Sequence, residues 1–334
     1  MAGSAASVIC FGEALVDRLG PPGGDPSVDQ PVDDRLGGAP ANVACALARL
    51  GTPVVFAGRV GSDAIGTAFV NLFARRGLDA SLLQRDAVRP SRIVLVRRSL
   101  EGERQFQGFA GDEGAGFADQ ALELAALPQA RWLLIGTLPL ATPTSAEALL
   151  SAVRQAGSQG TAVALDVNWR PTFWDPSADP VAGPHPQALA LMQPFLEKAG
   201  LIKLAREEAE WLFGSSDPAA ISASLPQKPD VLVTDGGHPV RWSMAGHRGS
   251  MAVLAPPQVV DTTGAGDAFT AGLLHQMVTL TPSTGKPHQL SAAVVQQVVR
   301  YAAACGALVC AGAGAIDPQP LPSRVVEFLE QLES

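Results

Sequence analysis

The sequence predicts an α/β fold in which helices cover both faces of a mostly parallel β-sheet. Short apolar runs of four or so residues alternate with longer segments in which apolar residues recur every three to four positions. Several of the short runs end at a glycine, as buried parallel strands often do. With 334 residues, of which 47% are hydrophobic, the chain can form a large core. Strands that alternate with helices in this way favour a parallel sheet.

The first predicted strand is Val8–Phe11, which Gly12 closes. Residues 18–36 are rich in proline, glycine and aspartate and indicate a loop or a small flap. Apolar residues at i, i+4 and i+7 then predict a helix over 41–50. The alternation continues with strand 54–57, helix 65–76, strand 132–135, helix 145–156, strand 162–165, helix 187–196, strand 201–203, helix 207–213, strand 231–233, and helices 268–278 and 292–310.

One segment, 91–107, interrupts this alternation. The apolar run Ile93–Val96, the turn-like pair Glu101-Gly102 and the alternating residues 104–107 predict a β-hairpin. We therefore expect its strands to leave the main sheet and form a small lid. Residues 279–288, by contrast, indicate an exposed loop.

Composition limits the classes of partner and compartment. The net charge of −8 argues against a nucleic acid as the main partner. The four cysteines form no Cys-x-x-Cys pair and lie among apolar residues, which indicates buried thiols in a reducing compartment. The first residues lack the basic region of a signal peptide, and we find no apolar run of about 18 residues. We expect a cytoplasmic protein with no membrane partner.

The most informative motif is Asp261-Thr-Thr-Gly-Ala-Gly-Asp267, which leads into an apolar run. Its glycines allow backbone N–H groups to approach an anion closely, and a helix beginning there would add its positive dipole end. A carboxylate next to an anion-binding loop suits phosphoryl transfer to an alcohol, because it can accept the hydroxyl proton. The alternative is a tight strand-to-helix turn in which Asp267 is an N-cap.

A second glycine motif, Gly37-Gly-Ala-Pro-Ala-Asn42, precedes the first long helix. Asn42 both donates and accepts hydrogen bonds, which suits the hydroxyls of a polyol. Asp17, just after the first strand, could accept two such hydroxyls. The alternatives are a helix-entry turn for the motif and a solvated loop position for Asp17.

Polar residues also follow the later strands. Asp166, Asn168 and Arg170 alternate after strand 162–165, so they could share one face and hold hydroxyls or a phosphoryl group. The alternative is an Asp–Arg pair that braces the loop. Glu208 could reach Mg²⁺ through water, or lie on the exposed side of a helix.

Two common nucleotide-binding motifs are absent. The strand at 231–233 leads into Thr234-Asp-Gly-Gly237, which suits backbone contact with phosphate. Gly285-Lys286 is followed by proline, which excludes a Walker P-loop, and no Gly-x-Gly-x-x-Gly follows the first strand.

Together these motifs resemble the ribokinase/PfkB family of carbohydrate kinases along nearly the whole chain. Residues 261–271 resemble its C-terminal signature, and residues 37–44 resemble its N-terminal glycine motif. Residues 11–17 and 166–170 are most similar to the fructokinase branch, and residues 58–66 are another shared stretch. The resemblance implies a ribokinase-like three-layer α/β/α fold, as one kinase domain over 1–334. Segments of about 13–36 and 89–111 would form the lid.

The resemblance also implies the roles of the site residues. Asp267 would be the catalytic base, and the N–H groups of Gly264, Ala265 and Gly266 would form an anion hole. The sugar would be held by Asp17, Gly38, Asn42 and Arg170. The residues implied for ATP are Lys203, Thr234, Gly236, Gly264, Gly266, Ala304 and Ala307. Glu208 would reach Mg²⁺ through water, and Asp261 and Thr263 would face a monovalent cation such as K⁺. The lid would be the contact of a homodimer.

This chain departs from the family pattern at two positions. Ala205 replaces the asparagine of an Asn-x-x-Glu motif that ends here at Glu208, and Pro239 replaces the second glycine of a Gly-x-x-Gly turn. We therefore expect that the arrangement of water and metal near the phosphates, and the affinity for the nucleotide, can differ from the family pattern. The implied activity is phosphorylation of a primary sugar hydroxyl by ATP, with fructose as the first candidate. The alternatives are another acceptor, namely 2-keto-3-deoxygluconate, ribose or a nucleoside, and a non-catalytic member of the family.

Overall fold

The computed structural model describes residues 6–100, 104–124, 126–256, 258–280 and 290–333. The strands in this part of the chain are β1 (Val8–Phe11), β2 (Leu15–Leu19), β3 (Asp33–Gly37), β4 (Val54–Gly61), β5 (Asp79–Asp86), β6 (Ile93–Arg98), β7 (Arg104–Ala110), β8 (Trp132–Ile135), β9 (Ala162–Asp166), β10 (Leu201–Ala205), β11 (Asp230–Asp235), β12 (His238–Met244) and β13 (His247–Met251). The α-helices are α1 (Ala39–Arg49), α2 (Ala64–Arg76), α3 (Pro143–Gln159), α4 (Pro171–Trp174), α5 (Pro186–Leu196), α6 (Arg206–Phe213), α7 (Pro218–Ser224), α8 (Ala265–Leu280), α9 (Ala292–Val309) and α10 (Pro322–Gln331).

Nine strands form the large sheet, in the order β13-β12-β11-β10-β9-β8-β1-β4-β5. From β11 to β5 all neighbouring strands run parallel, whereas β12 and β13 add an antiparallel hairpin at one edge. The predicted mostly parallel sheet is confirmed. Because parallel strands end at the same edge, the segments after β1, β9, β10 and β11 meet there.

The core lies on both faces of this sheet, as the alternation within β1 shows. Val8 and Cys10 belong to an apolar cluster with residues of α1, α2, α8 and α9, whereas Ile9 and Phe11 belong to a cluster with residues of α3 and α5. Side chains of a strand point alternately to its two faces, so a strand covered on both sides is apolar throughout. The three-layer arrangement is therefore confirmed.

Four further strands form a separate sheet in the order β3-β2-β6-β7. Strands β6 and β7 pair antiparallel, so the predicted hairpin is confirmed, although the turn predicted at residues 101 and 102 lies outside the described residues. The exposed loop predicted at 279–288 also lies mostly outside them, and residues 279 and 280 are the last of α8. The assignment of 1–334 to one domain stays a prediction.

Some elements were not predicted from the sequence. The β12–β13 hairpin carries many polar residues, and β12 contains Pro239, a residue type that is rare within strands. In the structure Pro239 lies where the β11–β12 register shifts, so no regular ladder bond is required of it. Strand β5, helix α7 and helix α10 were also missed.

Helix α9 corrects one sequence expectation. Its 18 residues have a mean hydropathy of 1.4, which by length and composition alone is enough to cross a membrane. Of these residues 56% are buried inside the fold, where the helix packs against α8 and α10. Five valines and six alanines supply most of this hydropathy, although Gln296, Gln297 and Arg300 interrupt the apolar run.

The base of the small sheet is fixed to α2. The Asp63 carboxylate accepts the N–H of Gly66 at 2.7 Å, which caps α2, and it also accepts the N–H of Ser91 at 2.6 Å, just before β6. Gly66 is required here because a Cβ would lie 1.9 Å from the Gly61 carbonyl oxygen. One carboxylate thus anchors both a core helix and a strand of the small sheet.

A buried ion pair lies beside this anchor. Arg92 donates to both carboxylate oxygens of Asp119 at 2.8 and 2.9 Å, and the two side chains are only 6% and 10% exposed. The rings of Phe109, Phe117 and Phe173 surround the guanidinium at 4.4 to 4.9 Å. The cation thereby joins β7, the segment after it and α4.

We predict that Arg92→Met lowers the free energy of unfolding by about 3 kcal/mol, because it leaves the Asp119 carboxylate buried without its counter-charge. The matched control is Arg97→Met, on β6 of the same sheet, whose side chain is 45% exposed. That control should change stability by less than about 0.5 kcal/mol. Urea denaturation of the three proteins measures both values. Equal stabilities of the two variants would contradict the assignment.

Candidate active site

A cavity of about 620 Å³ lies between the small sheet and the carboxyl ends of the large sheet. It brings together most residues that the sequence singled out. Its lining includes Asp17, Gly38, Asn42, Asn168, Arg170, Lys203, Glu208, Thr263, Gly264, Gly266 and Asp267. They come from five separate stretches of the chain, and the parallel topology explains why those stretches converge.

A second cavity of about 280 Å³ lies next to the first, between the turn after β11 and helix α9. Its lining is mostly apolar and includes Val253, Leu254 and Ala307, with Gly236 and Gly237 at one end. Thr262 and Gly266 line both cavities. The two compartments therefore meet at the glycine loop that precedes α8.

Asp267 lies in the first turn of α8, where the positive end of the helix dipole favours a carboxylate. Its Oδ2 accepts a hydrogen bond from Asn42 Nδ2 at 2.8 Å, which links the two predicted glycine motifs. Burial raises the pKa of Asp267 to about 6, and the charge of Asp166 acts in the same direction. The Asn42 hydrogen bond and the positive charges of Lys203 and Arg170 act in the opposite direction. At neutral pH this group is an ionised but comparatively basic carboxylate.

Lys203 lies directly beneath the glycine loop. It is opposite Asp166 in the β9–β10 register, and its Nζ lies 3.1 Å from Asp166 Oδ1. The other oxygen of Asp166 accepts the Thr270 hydroxyl at 2.8 Å. Burial by itself lowers the pKa of Lys203, but the charges of Asp166, Glu208 and Asp267 outweigh it and raise the pKa. A permanent positive charge therefore lies below the loop, and a Cβ on Gly266 would be 3.0 Å from it.

The loop before α8 is held by its own side chains. Asp261 Oδ1 accepts the N–H and the hydroxyl of Thr263 at 3.0 and 2.7 Å, and Oδ2 accepts the N–H of Gly314 at 2.8 Å. Gly264 has a φ of 79°, and a Cβ there would lie 2.5 Å from the Cβ of Ala315. Of the three predicted anion-hole donors, the Ala265 N–H already bonds to the Thr262 carbonyl at 3.2 Å.

On the side of the cavity near the small sheet, Gly38 also needs its positive φ of 98°. A Cβ there would lie 2.6 Å from the carbonyl oxygen of Glu13. The Glu13 side chain accepts the N–H of Ala39 at 3.1 Å and so fixes the entry to α1. Burial raises the pKa of Glu13 to about 8. The sequence analysis missed Glu13, although an acidic residue two positions after a buried strand was a usable signal.

The interpretation of 166–170 as one alternating face is wrong. Strand β9 ends at Asp166, and Asn168 has a φ of 44°, so the chain turns there. Asn168 and Arg170 line the cavity, whereas Asp166 points to Lys203 and Thr270. The alternative of an Asp–Arg brace is also wrong, because Asp166 pairs with Lys203 and Arg170 donates to the Trp169 carbonyl at 2.8 Å.

Glu208 is buried, so the alternative of an exposed helix face is wrong. One carboxylate oxygen accepts the N–H of Trp169 and the other the N–H of Ala205, both at 2.7 Å. The carboxylate therefore caps α6 and ties it to the loop after β9. Each oxygen keeps a further lone pair, so a water-mediated metal contact stays a prediction. Among the described residues no cluster of three or more histidine, cysteine or carboxylate side chains is suited to a metal ion.

The second cavity contains Thr234, Gly236 and Ala307, but not Ala304. Ala304 is fully buried in the core. The positions of α9 that face the cavity are 303, 306, 307 and 310, one face of a helix with 3.6 residues per turn, and residue 304 lies to the side of it. The predicted role of Ala304 is therefore corrected.

Comparison with known proteins identifies relatives over almost the whole chain. The model of the pfkB family of carbohydrate kinases matches residues 5–322. A fructokinase from Klebsiella pneumoniae is 33% identical over 93% of this chain and 95% of its own length.

Two solved structures are similar as well. A fructokinase from Xylella fastidiosa with bound ATP has a TM-score of 0.81 and 28% identity, and the match covers 98% of this chain and 99% of that one. A double mutant of the fructokinase from Vibrio cholerae O395, with fructose, ADP and potassium ion bound, has a TM-score of 0.80 and 28% identity over 98% and 100% of the two chains.

We predict that Asp267→Asn stabilises the protein at pH 7.5. The folded state raises the pKa of this carboxyl to about 6, well above its unfolded value, so ionisation costs stability increasingly from about pH 4 and fully above about pH 6. Removing it should raise the free energy of unfolding by on the order of 1 to 3 kcal/mol, and this gain should vanish near pH 4. Thermal unfolding at several pH values measures it. Glu147→Gln, on the exposed face of α3, is the control and should show no such gain. A destabilised Asp267→Asn protein at pH 7.5 would refute the electrostatic account.

Proposed function

The chain belongs to the pfkB family of carbohydrate kinases, and on that premise we propose that it transfers the γ-phosphoryl group of ATP to a primary hydroxyl of fructose. The observation that carries the proposal is the meeting of two cavities at the glycine loop, with Asp267 in the wall of the larger one. A phosphoryl donor in the smaller cavity and a sugar in the larger one would approach each other at Thr262 and Gly266.

Asp267 acts as the general base in this proposal. With a pKa of about 6 it is ionised at neutral pH, but it is far too weak a base to deprotonate a free alcohol in advance. It accepts the hydroxyl proton while the bond from oxygen to phosphorus forms. The hydrogen bond from Asn42 orients the carboxylate and leaves its other oxygen for the substrate hydroxyl.

The negative charge that spreads over the transferred group is stabilised from below. The N–H groups of Gly264 and Gly266 would act at the positive end of α8, and Lys203 adds a full charge under Gly266. Because these groups are fixed by β10 and α8 before any ligand binds, little reorganisation is needed during the reaction.

The sugar would lie against Asp17, Gly38 and Asn42, with Arg170 also in the wall of the cavity. Asp17 can accept two hydroxyls, and the absence of a side chain at Gly38 lets a ligand approach the backbone. Arg170 lowers the pKa of Asp267 by its charge, so it lies near enough to act on the reacting centre. Fructose as the acceptor is supported by the fructokinases among the similar proteins.

The lining of the smaller cavity supports ATP as its ligand. Apolar walls from α9 and from residues 253, 254, 256 and 259 suit a purine ring, and the Gly236-Gly237 turn allows backbone contact with phosphates. Thr234 and Lys203 would lie along the phosphates towards the larger cavity.

ATP supplies the phosphoryl group with its Mg²⁺, and Glu208 is the carboxylate that would reach the metal through water. Asp261 and Thr263 are the residues that would face a monovalent cation such as K⁺. A homodimer through the small sheet and a cytoplasmic location stay predictions.

We predict that, in a panel of ATP-consumption assays, D-fructose gives the highest kcat/KM. Ribose, 2-keto-3-deoxygluconate and a nucleoside should be poorer by at least about tenfold, because an acceptor whose hydroxyls do not match the polar groups of the cavity loses binding energy. A preference for one of the other acceptors would reassign the substrate. The absence of turnover with every acceptor would support a non-catalytic role.

We predict that Asp267→Asn lowers kcat by about 100- to 10,000-fold, because the variant keeps the geometry of the side chain but cannot accept a proton. Calorimetry should show that fructose and an ATP analogue still bind to it. Glu147→Gln, which removes an exposed carboxylate from α3, serves as the control and should keep full activity. Turnover close to that of the control would contradict the role of Asp267.

A further inference from the structure

Arg35 connects the small sheet to the glycine loop. It lies on β3, two residues before Gly37, and its Nη1 is 3.5 Å from Asp261 Oδ2. The guanidinium also passes over the loop at Gly314, where a Cβ would lie 3.4 Å from Arg35 Cδ and 3.5 Å from Nη1. This contact spans 226 residues of sequence. It joins the strand that leads into Gly38 to the loop that leads into Asp267.

Asp261 is the residue through which this contact can act. Its two oxygens hold Thr263 and Gly314, so its position determines the shape of the loop just before Gly264. The side chain is only 9% exposed, and a carboxylate at that depth needs a positive charge close by. Arg35 is the guanidinium that approaches it.

The charges around Arg35 show how it is held. Its Nη2 and Nε donate to Asp33 Oδ2 at 2.6 and 2.9 Å, which fixes the side chain from its own strand. The charges of Asp33, Asp261 and Asp317 all raise the pKa of Arg35, so the group stays protonated. Arg35 also lies opposite Asp17 in the β2–β3 register. Any shift of this strand relative to the core would move Asp17 and Arg35 together.

We propose that Arg35 is a positioning residue that acts through Asp261: it holds the glycine loop in its active shape and supplies the positive charge that this carboxylate would otherwise take from a monovalent cation. The inference rests on the proposed kinase function. It concerns the site of Asp261 and Thr263, where the resemblance to the family implies a monovalent cation. The sequence analysis gave Arg35 no role. The consequence is that the wild-type protein needs little potassium, whereas a protein without Arg35 needs it.

The test compares Arg35→Gln with Arg18→Gln. Arg18 lies on β2 of the same sheet and forms an exposed ion pair with Asp34 at 2.6 Å, but it is not in the lining of either cavity. Activity and melting temperature are measured in potassium chloride and in tetramethylammonium chloride at equal ionic strength. The melting temperature needs no substrate, so it reports on the inference even where turnover is absent.

In tetramethylammonium chloride, Arg35→Gln should lose about tenfold or more in kcat, with KM for fructose changed by less than about threefold. Potassium should restore most of the lost kcat and raise the melting temperature of this variant, but it should change the wild type and Arg18→Gln very little. Arg35→Lys, which keeps the charge, should lie between them. Adding Asp261→Asn to Arg35→Gln should abolish the response to potassium.

Two outcomes overturn the inference. One is an Arg35→Gln protein whose kcat and potassium response equal those of Arg18→Gln. The other is a wild type that responds to potassium as strongly as Arg35→Gln in both kcat and melting temperature. If the wild type phosphorylates no sugar, the proposed function fails, while the difference in melting temperature still decides whether Arg35 carries the charge at Asp261.

Discussion

The buried carboxylate at the first turn of α8 is the constraint on which the rest of the site depends. Asp267 is kept ionised in a largely dry place by the helix dipole, by the amide of Asn42 and by the charge of Lys203. Lys203 is in turn held by Asp166 on the neighbouring strand. Moving any one of these groups would change the basicity of Asp267, so α1, β9, β10 and α8 must keep their mutual positions.

The sequence predicted those parts of the site that depend on a short, contiguous pattern of residues, and it missed those that depend on tertiary packing. The glycine motifs, Asp267 and Asn42 were predicted because glycine spacing and helix starts are local signals. The sequence offered Arg170 as a partner of Asp166, but the partner in the structure is Lys203. This could not be predicted, because the end of β9 and its register with β10 are set by tertiary packing. Ala304 was misplaced by one position because the rotation of α9 about its axis depends on α8 and α10.

The small sheet is linked to the core by charged groups as well as by apolar contacts. Asp63 holds its base at Ser91, Arg92 lies buried among three aromatic rings, and Glu13 supports the turn between β3 and α1. Within the part of the chain that the structure describes, its apolar cluster is small and contains the buried residues Val16, Ile93 and Leu95. A sheet with so little core of its own must take its position from such polar links. Their directionality fixes the orientation of Asp17 and Gly38 more tightly than apolar packing would.

The shared wall at Thr262 and Gly266 has a consequence for binding thermodynamics. A ligand in either cavity lies against the same two residues, so the binding free energy of one ligand depends on whether the other is present. Linkage then requires each ligand to change the affinity of the other by the same factor, whichever of the two binds first.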